Sequence, residues 1–202
     1  MPSKFRVRGI FRGLVLLIAR PLARAGVSPD SITYISLLFA LFAFITLPLT
    51  QFQQLFGILI FITGLLDGVD GAVARMNDSA TKAGGLTDSV IDKVAETLIL
   101  AGIALAYPNT TLLGLSVSMW VLLAVFGWLM TSYTRARAEG LGVSDLDIGL
   151  GGRSERLLTL VIFSLIGLVT WGLIVVAMMG LCTAAYRLFH FKRQIIDNSS
   201  TS

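Results

Sequence analysis

The chain has 202 residues, 55% hydrophobic and 14% charged, with a formal net charge of +4 and a mean hydropathy of +0.82. The length allows one domain, and the apolarity excludes an ordinary soluble domain and points to a helical membrane protein. A single cysteine, Cys182, excludes an internal disulfide.

Residues 4–24 mix Lys4, Arg6, Arg8 and Arg12 with Phe5, Val7, Ile10 and Phe11. Phe11, Leu14, Val15 and Ile18 fall on one helical face. This predicts an amphipathic helix within 1–24 lying in the membrane interface, its cations toward anionic headgroups. Pro21 is expected to interrupt it. With no uninterrupted apolar run at the start, no cleavable signal peptide is expected. The Gly-Val-Ser-Pro-Asp stretch at 26–30 reads as a turn into the first membrane helix, with Asp30 suited to N-capping.

Three charge-free windows follow, 31–66, 97–134 and 157–186. Each is longer than the ~20 residues of one span. Gln51, Gln53 and Gln54 break the first. Pro108, Asn109, Thr110 and Thr111 break the second, and the third breaks weakly at 167–172. Each window is read as a helical hairpin. The predicted fold class is therefore all-α, an integral membrane protein with six transmembrane helices over roughly 31–50, 54–76, 84–107, 111–138, 153–168 and 171–190. These form a domain of 25–193, and 194–202 is read as a disordered tail. All 16 Lys and Arg and all 12 Asp and Glu lie outside the windows. Six helices gather these charges and both termini on one side, which the positive-inside rule makes cytoplasmic in the cell membrane. Five would leave Lys192 and Arg193 on the other side.

Chemistry concentrates in 67–92, between two apolar runs. Asp67 and Asp70 are three apart and Asp88 and Asp92 four apart, so each pair shares a helix face. On neighbouring helices the four carboxylates converge, and only a cation would hold them together. Oxygen-only ligands indicate Mg2+ or Mn2+ rather than zinc, with Asp67, Asp70 and Asp88 as ligands and Asp92 reaching a second ion. Lys93 and Glu96 are one turn apart, can pair, and are given no chemistry. His190 is read as an interfacial residue.

The stretch fits D-x-x-D-G-x-x-A-R-x8-G-x3-D-x3-D without departure, through Asp67, Asp70, Gly71, Ala74, Arg75, Gly84, Asp88 and Asp92. It resembles the signature of the CDP-alcohol phosphotransferases. That resemblance implies transfer of a diacylglycerol- or archaeol-phosphate group from CDP-diacylglycerol or CDP-archaeol to an alcohol, with CMP leaving. It implies Asp92 as the general base. It also implies a CDP site from Asp30, Thr33, Asp67, Gly71, Ala74, Arg75 and Gly84. Small Gly71 and Ala74 admit a flat ring, or else pack helices. Arg75 meets a phosphate oxygen, or else anchors the membrane end. Gly84 opens a helix whose free amides favour an anion, or else simply makes a turn.

Arg135 and Arg137 end one predicted helix in Ser-Tyr-Thr-Arg-Ala-Arg-Ala-Glu, 132–139, and Arg153 and Arg156 begin the next. Arg187, Lys192 and Arg193 follow near the C-terminus. Clustered arginines suggest a phosphorylated acceptor. The run looks like the inositol-phosphate branch of the family, the phosphatidylinositol phosphate and archaetidylinositol phosphate synthases. This implies inositol 1-phosphate bound by Arg135, Arg137, Arg153, Arg156 and Arg193, with glycerol 3-phosphate or serine as alternatives. Resemblance also implies a homodimer; no nucleic-acid partner is expected. A cation transporter is the alternative of another class, disfavoured because the acids sit at one membrane edge rather than at mid-membrane. A non-catalytic scaffold would not need four carboxylates at this spacing.

Overall fold

The computed structural model describes residues 11–199 apart from 144, 147 and 150. The N-terminal part of the predicted interfacial helix and the last three residues lie outside the described residues. Helix α1, Arg12–Arg24, contains Pro21 rather than ending at it. The proline removes only its own donor, and its carbonyl still accepts from Ala25 N at 2.9 Å. Ala19 is buried, and Val15, Ile18 and Leu22 pack with Val69, Ala72 and Val73.

Helix α2 is Pro29–Thr50. Its N-cap is Ser28 rather than Asp30: Ser31 N donates to Ser28 Oγ at 3.2 Å, and Pro29 takes the first helical position, where a missing N–H costs nothing. Helix α3 is Gln53–Met76 and α4 is Lys82–Ala106. Helix α4 starts earlier than expected because Thr81 caps it, its Oγ1 accepting from Gly84 N at 3.0 Å.

Strands β1, Thr111–Leu112, and β2, Leu115–Ser116, form a hairpin where a helix start was expected. Leu113 and Gly114 both have positive φ, the geometry of a tight hairpin turn. Ser116 then caps α5, Val117–Gly140, accepting from Met119 N at 3.2 Å. Helix α6, Arg153–Leu165, and α7, Val169–Ser199, complete the chain. Residues 194–199, expected as disordered tail, continue α7. Phe191 is buried in a small cluster with Ala138, Val143 and Ile148, and Ile195 packs against it.

Among the described residues, four helices are long and apolar enough to cross a membrane: Pro29–Thr50, Gln53–Met76, Val117–Gly140 and Val169–Ile196. Helix α4 matches them in length, but Lys82, Asp88, Asp92, Lys93 and Glu96 all lie between its start and the turn just past its middle. One core, including Ala43, Phe56, Ile60, Ile99, Ile103, Leu160 and Leu173, runs through α2 to α7. Helices α5 and α7 cross at glycines. A Cβ on Gly127 would lie 2.8 Å from Leu181 N, and one on Gly180 2.7 Å from Trp128 Cδ1.

Side-chain amides tie the three interhelical connections together at one end. Gln51 donates to Ala106 O at 3.0 Å, and Gln53 donates to Tyr107 Oη at 2.9 Å while accepting from Val169 N at 2.9 Å. The opposite end therefore gathers the last turns of α3, the first turns of α4 and the start of α6. Every acid of the motif lies there.

Candidate active site

Asp67 and Asp70 face the same way from α3, and Asp88 meets them from α4. One carboxylate oxygen from each lies within 4.8 Å of the others. Asp70 is buried, and Thr33 Oγ1 donates to its Oδ2 at 2.7 Å. Thr33 thus reaches the site through Asp70. The expected convergence of four acids resolves into three and one. Asp92, one turn beyond Asp88, holds Arg153 instead, its Oδ1 2.7 Å from Nη2. Arg153 also pairs through Nη1 with Asp67 and through Nε with Glu96 Oε1, the latter at 3.1 Å.

The donor set of Asp67, Asp70 and Asp88 fits a hard divalent cation. All donors are oxygens, held close together on two helices, which is the donor chemistry of a hard divalent ion. Arg153 is also shared among three acids, so its charge is not the cluster's alone.

Two cavities meet at the site. The first, about 670 Å³, has Asp67, Asp70, Gly71 and Arg75 at one end and an apolar wall of Phe11, Val15, Phe61 and Leu157. The second, about 510 Å³, is bordered by Ser132, Arg135, Arg156 and Arg187. Asp88, Asp92, Arg153 and Ser154 border both.

The other expected site residues divide. Arg75 lies across Gly71, where a Cβ would sit 3.3 Å from Nη1. Gly84 lies near Asp30, but its amide is engaged by Thr81 and so is not one of the free amides expected at this helix start. Asp30, Thr33, Ala74 and Gly84 border neither cavity. Arg135 is exposed on the second cavity. Arg137 and Arg193 are exposed and border neither. Arg153 joins the acids rather than standing in a separate arginine cluster.

Arg156 is buried 4.5 Å over the Trp128 ring, with Nε and Nη1 lacking a hydrogen-bond partner among the described residues. Such a cation, stacked and incompletely paired beside a cavity, is suited to an anion. Arg187 was not among the expected binding residues. It is buried, donating to Ile148 O at 2.9 Å and Thr131 O at 2.8 Å. Its position just past a charge-free window was the available signal, but that placement also suits a membrane anchor.

Fold and site together define a helical membrane-embedded protein with a carboxylate cluster for a divalent cation. The CDP-alcohol phosphatidyltransferase profile matches residues 26–188, and the chain belongs to that family. It is 36% identical over 178 residues to the archaetidylinositol phosphate synthase of Pyrococcus horikoshii, covering 88% of this chain and 90% of that one. The fold is similar to that of Mycobacterium tuberculosis phosphatidylinositol phosphate synthase. With CDP-DAG bound, that structure gives a TM-score of 0.73 at 24% identity, covering 88% of this chain and 92% of its own. In complex with manganese and citrate it gives 0.74 at 22% identity, covering 88% of each chain.

Proposed function

We propose that the protein transfers a diacylglycerol- or archaeol-phosphate group from a CDP-lipid to a hydroxyl of inositol 1-phosphate, releasing CMP. The observation that carries this reading is the meeting of the two cavities at Asp88, Asp92 and Arg153. One cavity joins carboxylates to an apolar wall, suiting a nucleotide lipid. The other joins Arg135, Arg156 and Arg187, suiting a phosphorylated polyol. The names of the similar proteins, archaetidylinositol phosphate synthase and phosphatidylinositol phosphate synthase, support the acceptor.

Asp67, Asp70 and Asp88 hold Mg2+ or Mn2+, two ions if Asp92 contributes. A divalent ion held there would supply charge neutralisation for the diphosphate. Arg75 and Gly71 meet the nucleotide end of the first cavity. Asp30, Ala74 and Gly84 are assigned to CDP binding on the resemblance alone, and Thr33 aligns Asp70. Asp92 takes the proton of the acceptor hydroxyl, whose oxygen bonds to the lipid-side phosphorus. The bond from that phosphorus to the CMP oxygen breaks, and CMP leaves with the electron pair. Arg135, Arg153, Arg156 and Arg187 orient the acceptor phosphate, with Arg137 and Arg193 adding positive potential outside.

Helices α2 to α7 are six spans, with α1 lying along the interface and site and termini on the cytoplasmic side of the cell membrane. The basic residues at the site end and the uncharged connections at the other support that orientation. The assembly is a homodimer, as in the resemblance.

An acceptor screen with one CDP-lipid tests the reading through CMP release. Inositol 1-phosphate should give the highest kcat/KM, above glycerol 3-phosphate, serine and free inositol, and chelation should stop turnover. Equal use of free inositol would remove the role of the arginine-lined cavity.

A further inference from the structure

Glu96 is buried and borders neither cavity. It lies one helical turn beyond Asp92 on the same face of α4. Its Oε1 is 3.1 Å from Arg153 Nε, an ion pair in which neither atom has a hydrogen-bond partner among the described residues, and its Oε2 accepts from Lys93 Nζ at 2.6 Å. Arg153 therefore meets a carboxylate at each nitrogen: Asp67 at Nη1, Asp92 at Nη2 and Glu96 at Nε. A buried carboxylate needs a charged partner, and Glu96 has two.

The three partners of Arg153 are not equivalent. Asp67 belongs to the oxygen cluster, and Asp92 borders both cavities. Each has a second task during turnover. Glu96 is set back from both cavities, so its contact with Nε can persist while the other two change.

We propose that Glu96 is a positioning residue. By setting its charge directly beside Arg153 Nε, with Lys93 holding its other oxygen, it keeps the guanidinium at the border of the two cavities and limits its competition for the cluster. This rests on the function above in taking Asp67 as a metal ligand and the second cavity as the acceptor's. Without Glu96, Arg153 is left with Asp67 and Asp92. It then competes harder with a divalent cation and presents itself less well to the acceptor.

The test is a double-mutant cycle of Glu96→Gln and Arg153→Ala, read as Mn2+ binding by calorimetry on purified protein without substrates. Glu96→Gln should weaken Mn2+ binding about fivefold when Arg153 is present, and by less than about twofold in the Arg153→Ala background. Equal weakening in both backgrounds would mean that Glu96 acts only through its charge at a distance, which overturns the proposal. No weakening in either background overturns it too. Failure of the wild-type protein to bind Mn2+ defeats the metal site and this role together. Absent coupling with wild-type binding intact defeats only the role of Glu96.

In turnover, Glu96→Gln should raise the KM for inositol 1-phosphate about fivefold and leave that for CDP-lipid within about twofold. Glu96→Asp keeps the charge with a shorter reach and should recover part of both losses. Should Glu96→Gln not fold, Glu96→Asp goes through the same cycle. A Mn2+ loss undiminished without Arg153 would then end the proposal.

Discussion

Replacing Asp92 by Asn keeps its volume and removes its capacity to take a proton. CMP release should fall by about 10²- to 10⁴-fold, the usual worth of a general base, while the protein still inserts and binds Mn2+. Near-wild-type turnover would take the base role from Asp92. Thr33→Val removes the hydroxyl that orients Asp70 at 2.7 Å. It should weaken Mn2+ binding about fivefold, the worth of one hydrogen bond. Arg135→Ala should raise the KM for inositol 1-phosphate much more than that for CDP-lipid, and equal effects would make Arg135 a membrane anchor only. The acids were legible in the sequence because helical periodicity alone decides that Asp67 and Asp70 share a face, and Asp88 with Asp92. Arg153 was not placed so well. A guanidinium on a long side chain can turn to either of two cavities, and its partners Asp67, Asp92 and Glu96 lie on helices far away in the sequence.

Among the elements, local chemistry was readable where a polar break interrupts an apolar run. The ends of α2 and α3 fall within two residues of expectation for that reason. It was misleading where one breaker stood alone. Pro21 reads as a stop, yet α1 passes through it, and the polar end of α7 reads as a tail until Phe191 and Ile195 find their cluster. The α5–α7 crossing shows the same dependence on distant contacts. Gly127→Ala would put a methyl 2.8 Å from Leu181 N and should lower stability by about 1–3 kcal/mol. Gly85→Ala meets nothing within 4 Å and should be neutral or slightly stabilising. Thermal unfolding of the two variants in one detergent measures the contrast. Similar melting temperatures would mean that the crossing relaxes around the added methyl.

For the whole molecule, one end holds the charged chemistry and the other the amide-tied connections. In a Cys182→Ala background, Ser79→Cys on the α3–α4 connection and Asn109→Cys on the α4–α5 connection should report opposite sides. An impermeant maleimide added to intact cells with an accessible outer face should label Asn109→Cys at once and Ser79→Cys only after permeabilisation. The reverse pattern would invert the topology. The gathering of the acids at one end was legible from charge placement, because the three apolar windows carry no charge at all.

The two chambers share only a narrow strip of side chains, Asp88, Asp92, Arg153 and Ser154 among them. Compounds fitted to one compartment and kept clear of that strip would leave the other compartment's doorway open. Two such inhibitors could be seated at once and even joined by a linker, whereas any molecule reaching the strip would shut out both substrates by itself.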